Sequence, residues 1–106
     1  MSYQELQENT LLNAVTSTGA GTGVLAQRCE GWNFIFDASS VTTGASIDIE
    51  AEYGDDKWVT IHTEAITATG VTMAQSEEGS YKKLRANVTA RTDGTYSVYA
   101  QGRLGN

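Results

Sequence analysis

Between residues 45 and 53 the chain alternates apolar and acidic side chains with a period of two: Ile47, Ile49, Ala51 and Tyr53 fall on one side, Asp48, Glu50 and Glu52 on the other. Successive side chains of an extended strand point to opposite faces, so this stretch suits a strand with one wet face and one dry one. The alternation returns at Leu84, Ala86, Val88 and Ala90 against Arg85, Asn87, Thr89 and Arg91, and the apolar set continues at Tyr96, Val98 and Ala100. Thr92-Asp93-Gly94, lying between these two runs, reads as the turn of a β-hairpin.

The chain contains no proline and 11 glycines. Every strand can therefore donate its full ladder of hydrogen bonds, and glycine does the punctuation, at 19 to 23, 44, 54, 70, 79 and 94. About eight strands follow, near 10 to 16, 22 to 28, 32 to 38, 45 to 53, 57 to 64, 70 to 76, 81 to 90 and 95 to 103. With 106 residues, 40% of them hydrophobic, the chain is one ordinary domain able to bury roughly 60–70% of its unfolded surface. The expected fold is all-β, an antiparallel sandwich over residues 13 to 106, preceded by an N-terminal arm over residues 1 to 12. Ser2 and Glu5 fit a capping box, so residues 2 to 9 read as a short helix or an arm that orders only against something else.

Charge narrows the partners. Seven Lys and Arg against 13 Asp and Glu leave a net charge of -6, the wrong sign for gripping a phosphate backbone. Cys29 is the only cysteine, which precludes an intramolecular disulfide and reads as a small buried residue near a strand start. The opening MSYQELQENT lacks the basic and apolar regions of a leader, and no run approaches the roughly 20 apolar residues of a membrane-spanning helix. The expectation is a protein made in the cytoplasm, without nucleic-acid or membrane partners.

Catalytic chemistry finds little to work with. Asp48, Glu50, Glu52, Asp55 and Asp56 supply many oxygens, as a hard cation would want, but they lack the ligand spacing of a calcium loop, and adjacent carboxylates on one strand do not flank a cleft. His62 is the only histidine; it falls in phase with Trp58 and Thr60, as a surface or interface side chain. GAGTG at 19 to 23 is not followed by the helix that would seat a phosphate. The expectation is a protein that is not an enzyme and holds neither metal nor cofactor.

Acids and bases are segregated along the chain. Residues 45 to 64 hold Asp48, Glu50, Glu52, Asp55, Asp56 and Glu64 against Lys57 alone, whereas residues 81 to 106 hold Lys82, Lys83, Arg85, Arg91 and Arg103 against Asp93 alone. The two segments can lie side by side and pair within the fold, they can present opposite potentials to neighbouring molecules, and both can hold at once.

The run DDKWVTIHTEAITATG, followed by SYKKLRANVTARTDGTYSV, resembles a recurring pattern of small β-sandwich structural proteins of bacteriophage virions. Trp58, Gly70, Arg85, Ala86 and Gly94 stand at its characteristic positions, and the likeness covers roughly residues 45 to 100. The chain departs from it at GDDKW, where Asp56 and Lys57 replace the usual glycine and asparagine before the tryptophan. The resemblance implies a jelly-roll-like sandwich of the kind found in head decoration, cement and tail-associated proteins, several of which form dimers or trimers on a capsid lattice.

That resemblance makes the expected function decoration of a capsid, stabilising it by bridging capsomers, with the major capsid protein and further copies of the chain as partners. The candidate interface residues are Tyr3, Leu6, Leu11 and Leu12 of the arm, the rings of Trp32 and Trp58, and the cations Lys82, Lys83 and Arg85. Each tryptophan, at or near a strand start, reads first as a core ring. Two other functions compete: a tail or baseplate domain, and a carbohydrate-binding module using Trp58, Tyr81, Tyr96 and Tyr99. The second is weakened by the opposite parity of Tyr96 and Tyr99.

Overall fold

The computed structural model describes residues 6–26, 29–76 and 81–104. In them the chain forms nine strands and no helix: β1 (Leu6–Val15), β2 (Gly19–Ala20), β3 (Val24–Leu25), β4 (Cys29–Ser39), β5 (Ala45–Gly54), β6 (Lys57–Ile66), β7 (Gly70–Ser76), β8 (Lys83–Arg91) and β9 (Thr95–Leu104). One sheet runs β1-β9-β4-β7, and the other runs β2-β8-β5-β6 with β3 also on β8. All pairings are antiparallel. Both short strands bond β8, Gly19 opposite Val88 and Val24 opposite Leu84, so they act as one interrupted edge strand. Counted that way there are eight strands, and every connection except β5 to β6 passes from one sheet to the other. This is the jelly-roll arrangement of two Greek keys.

The dry faces of the two sheets form the core. Phe34, Phe36, Ala38, Tyr96, Val98 and Ala100 come from one sheet, and Ile47, Ile49, Ala51, Leu84, Ala86 and Val88 from the other. The alternation seen in the sequence is therefore the inside-outside alternation of the sandwich, interrupted where the ladder bulges. A register shift opposite Ser46 and Ile47 in β8 turns Ala90 outward, and the shift near the β5–β6 turn leaves Tyr53 exposed.

Two further expectations change. The arm expected over residues 1 to 12, and the helix over 2 to 9, give way from Leu6 onward to a strand paired along β9, with Leu11 and Leu12 buried. Burying two leucines and pairing an open sheet edge together outweigh the local capping signal. Residues 1–5 lie outside the described residues. Thr92-Asp93-Gly94, expected as a hairpin turn, instead carries the chain between sheets, because β8 pairs with β5 while β9 pairs with β1 and β4.

That crossing is tied to the neighbouring β4–β5 loop. The Asp93 carboxylate accepts the backbone amides of Thr42, Thr43 and Gly44, and the Thr92 amide donates to the Gly44 carbonyl. Gly44 has a φ of +118°, and a β-carbon there would fall onto the Ile66 carbonyl. Only glycine suits that position.

Candidate functional site

The outer face of the β5 sheet carries the acids singled out in the sequence. Glu50 stands at its centre, only 9% exposed, with Arg85 of β8 and Thr60 of β6 opposite it in register. The Arg85 Nε donates to Glu50 Oε1 at 2.6 Å, and Asn87 Nδ2 donates to Oε2 at 3.2 Å. The Arg85 guanidinium lies 4.2 Å from the Trp58 ring centre, a cation–π contact. Trp58 in turn donates its indole N–H to Asp56 at 3.3 Å.

The remaining carboxylates are engaged as well. Asp48 accepts the hydroxyls of Thr60 and Thr63 at 3.3 and 2.8 Å. Glu52 accepts the Asp56 amide and lies 3.8 Å from Lys82 Nζ, which is also 3.9 Å from Asp55. The acidic and basic segments thus lie side by side as β5 and β8 and pair within the sheet. Among the described residues no three His, Cys, Asp or Glu side chains are grouped to hold a metal ion.

His62 sits differently from its expected phase. A bulge between Ile49 and Glu50 leaves Ile61 unmatched on β6, so His62 opposes Ile49, an inward position. Its ring lies 6.0 Å from Phe36 and its Nε2 is 2.9 Å from Glu64. A bulge inserts one residue and so reverses parity beyond it, which the sequence alternation alone does not show. Burial raises the pKa of the Cys29 thiol, leaving little of the reactive thiolate.

The outer face of the other sheet is built differently. Thr10, Tyr99, Ile35 and Met73 lie opposite one another on β1, β9, β4 and β7, forming a row across all four strands. Val71 flanks it on β7; Val71 is 67% and Met73 59% exposed. Glu8, Thr10, Ile35, Tyr99 and Gln101 line an open groove of about 550 Å³ at the β1 side of this row. The apolar surface here is contiguous rather than scattered, the kind that marks contact sites.

The structure divides the candidate interface residues. Trp58, Lys83 and Arg85 meet on the outer face of the β5 sheet, where the tip of the Trp58 ring and the Lys83 stem both approach Gly23, and Lys82 joins them at the start of β8. Leu11, Leu12 and Trp32 are core: Trp32 is 2% exposed and stacked on Phe34 with ring centres 6.4 Å apart. Leu6 begins β1 opposite Arg103, and Tyr3 lies outside the described residues. The row through Ile35 and Met73 was not among the candidates. Its signal was present in the alternation of Val71 and Met73 with Thr72 and Ala74, but hydrophobicity alone would have turned the larger pair inward.

No protein-family model matches the chain, and no curated protein matches it. Among solved structures, the crystal structure of the SPBc2 prophage-derived protein YomS is similar in fold, with a TM-score of 0.74 over 97% of this chain and 96% of that one, at 13% identity.

Proposed function

We propose that the chain is a structural protein of a bacteriophage particle, acting through its sheet faces and edges, and that it decorates the capsid by bridging neighbouring capsomers. The observation that carries this reading is the end-to-end fold correspondence with a prophage-derived protein, in which neither chain has a sizeable part without a counterpart. The jelly roll is a recurrent fold of viral particle proteins, and it offers broad, rigid faces suited to repeated contacts. On this reading the chain performs no chemistry, holds no cofactor, and has the major capsid protein and its own copies as partners. Nucleic acid and membrane play no part.

A protein that binds only the assembled shell stabilises it by mass action, by RT ln(1 + [L]/Kd) per site. The carbohydrate-binding alternative loses ground to the placement of its rings. Tyr96 is buried, Trp58 is covered by Arg85, and Tyr81 packs partly on the core, leaving Tyr99 alone of that set on an open face. The test is quantitative mass spectrometry of particles separated into heads and tails. A near-integral number of copies per major capsid subunit in heads is the expected result. Presence in tails alone would move the assignment to a tail component, and absence from both would sink the virion reading.

A further inference from the structure

Among the described residues, three of the four sheet edges carry devices that discourage pairing with another strand. β1 is bent by register shifts on either side of Leu12, with Ala14 at a φ of +50°. The β2–β3 edge is broken into two pieces of two residues each. β6 carries a bulge at Ile61 and the charged Lys57 and Glu64. Irregularity, brevity and charge are the means by which natural sheets protect their edges.

β7 has none of them. Its sequence, GVTMAQS, contains no charged residue, and its seven residues run beside β4 without a register shift, from Gly70 opposite Ala38 to Ser76 opposite Trp32. Among the described residues β7 pairs with β4 alone, and its two large apolar side chains, Val71 and Met73, stand out from the sheet.

We infer that β7 is a dimerisation strand, pairing antiparallel with β7 of a second copy about a two-fold axis at Met73. Met73 is the middle of the seven described residues, so this register alone matches all seven of them, with Val71 opposite Gln75 and Thr72 opposite Ala74. Opposed positions have the same parity, so the register keeps Met73 opposite Met73 on the outer face, and an uncharged strand meets itself without opposing like charges. The two sheets become one of eight strands, and the apolar row runs unbroken from Tyr99, Ile35 and Met73 of one copy to Met73, Ile35 and Tyr99 of the other. The contact is isologous, so it consumes the open edge and closes, while the irregular β1 edges at the ends resist further growth. This inference is independent of the virion reading, because it concerns the purified chain.

The test is sedimentation equilibrium of the full chain with three variants. The native chain is expected to be a dimer, and Met73→Lys, which sets two cations face to face, to associate at least about tenfold more weakly with an unchanged circular dichroism spectrum. Met73→Cys is expected to crosslink under mild oxidation, since directly opposed residues have Cα atoms about 4.5–5.5 Å apart, within disulfide reach. Val71→Cys is expected not to, because its two copies lie about four residues, or roughly 13 Å, apart. A monomeric native chain, native-like association of Met73→Lys, or equal crosslinking of both cysteines would overturn the inference.

Discussion

The carboxylate of Asp93 takes the backbone amide of Thr43 on both its oxygens, at 3.1 and 3.0 Å. Two loops more than 40 residues apart in sequence are clamped by this grip, which the Thr42 and Gly44 amides complete at 3.1 and 3.0 Å. The same turn is fastened from behind. Tyr96 donates its hydroxyl to the Asp93 carbonyl at 2.6 Å, and Arg91 Nε donates to the Gly94 carbonyl at 3.0 Å.

Acid should loosen this clamp. The Thr43 amide, then those of Thr42 and Gly44 with help from Arg91, hold the Asp93 pKa below its ordinary 3.8. A depressed folded pKa stabilises the fold above the unfolded value and loses that contribution as pH falls through the folded one. The expected result is that the native chain loses stability below about pH 3.8 by a component that Asp93→Ala lacks. At neutral pH the order of melting temperature should be native, then Asp93→Asn, then Asp93→Ala. Thermal melts between neutral and strongly acidic pH check both points.

Tyr96 gives the complementary alkaline limb. Burial, and then the nearby Asp93 charge, raise its pKa above 10. A raised folded pKa contributes stability fully below the unfolded value and loses it as pH rises through the folded one. Tyr96→Phe is therefore expected to be less stable than the native chain near pH 7, having lost one hydrogen bond worth about 0.5–1.5 kcal/mol. The gap should narrow as pH rises past 10, and denaturant titrations at neutral and alkaline pH measure it.

Truncation separates a strand from an arm. Removing residues 2–5 keeps all ten residues of β1, Leu6–Val15, and serves as the reference truncation. Removing residues 2–12 deletes most of β1, exposes β9 as a new edge and strips Leu11 and Leu12 from the core. Each buried leucine contributes about 2–5 kcal/mol when cut back to alanine, so the longer deletion should unfold or nearly unfold the chain. Circular dichroism melts of the two truncations decide it.

The fold was legible in the sequence because its core strands alternate cleanly: Ile47 with Ile49, Leu84 with Ala86 and Val88, and Tyr96 with Val98 and Ala100 all face inward as their spacing indicates. What was not legible lies where one extra residue or one neighbour changes the rule. The bulge at Ile61 reverses His62, and the shift in β8 turns out Ala90. Val71 and Met73 face outward, while Thr72 and Ala74 lie in register with the buried Phe36 and Phe34. Of that smaller pair Ala74 packs on the core and Thr72 is exposed at the sheet edge. The turn at Asp93 shows the same limit: its residues specify a tight turn, but whether the next strand pairs back or crosses over depends on the distant Gly44 loop.

Gly102 tests the packing at the closed end of the core. A β-carbon there would come within 2.6 Å of Cys29 Sγ and 2.7 Å of the Trp32 ring, both of which are buried. Overpacking of this kind costs typically about 1–3 kcal/mol. Gly102→Ala is expected to lose stability in that range, whereas Gly19→Ala meets nothing within 4 Å and is limited to the strain of its positive φ. Urea denaturation of the two variants compares them.

Arg85 and Lys82 belong to one face but hold it with different strength. Arg85 satisfies the nearly buried Glu50 and covers Trp58, so Arg85→Ala leaves a shielded carboxylate with Asn87 as its remaining side-chain partner. A loss of about 1–3 kcal/mol is expected. Lys82 is half exposed and sits at 3.8 Å from the shielded Glu52 and 3.9 Å from the exposed Asp55, without a hydrogen bond to either, so Lys82→Ala should cost less than Arg85→Ala. If this face meets a shell, the two roles separate in binding as well. Reversing Lys82 and Lys83 to glutamate should leave the chain folded and weaken particle binding more at low than at high ionic strength, since salt already screens exposed attractions at high concentration. Co-sedimentation with particles at two salt concentrations measures this, and a loss equal at both would assign the effect to misfolding rather than to contact.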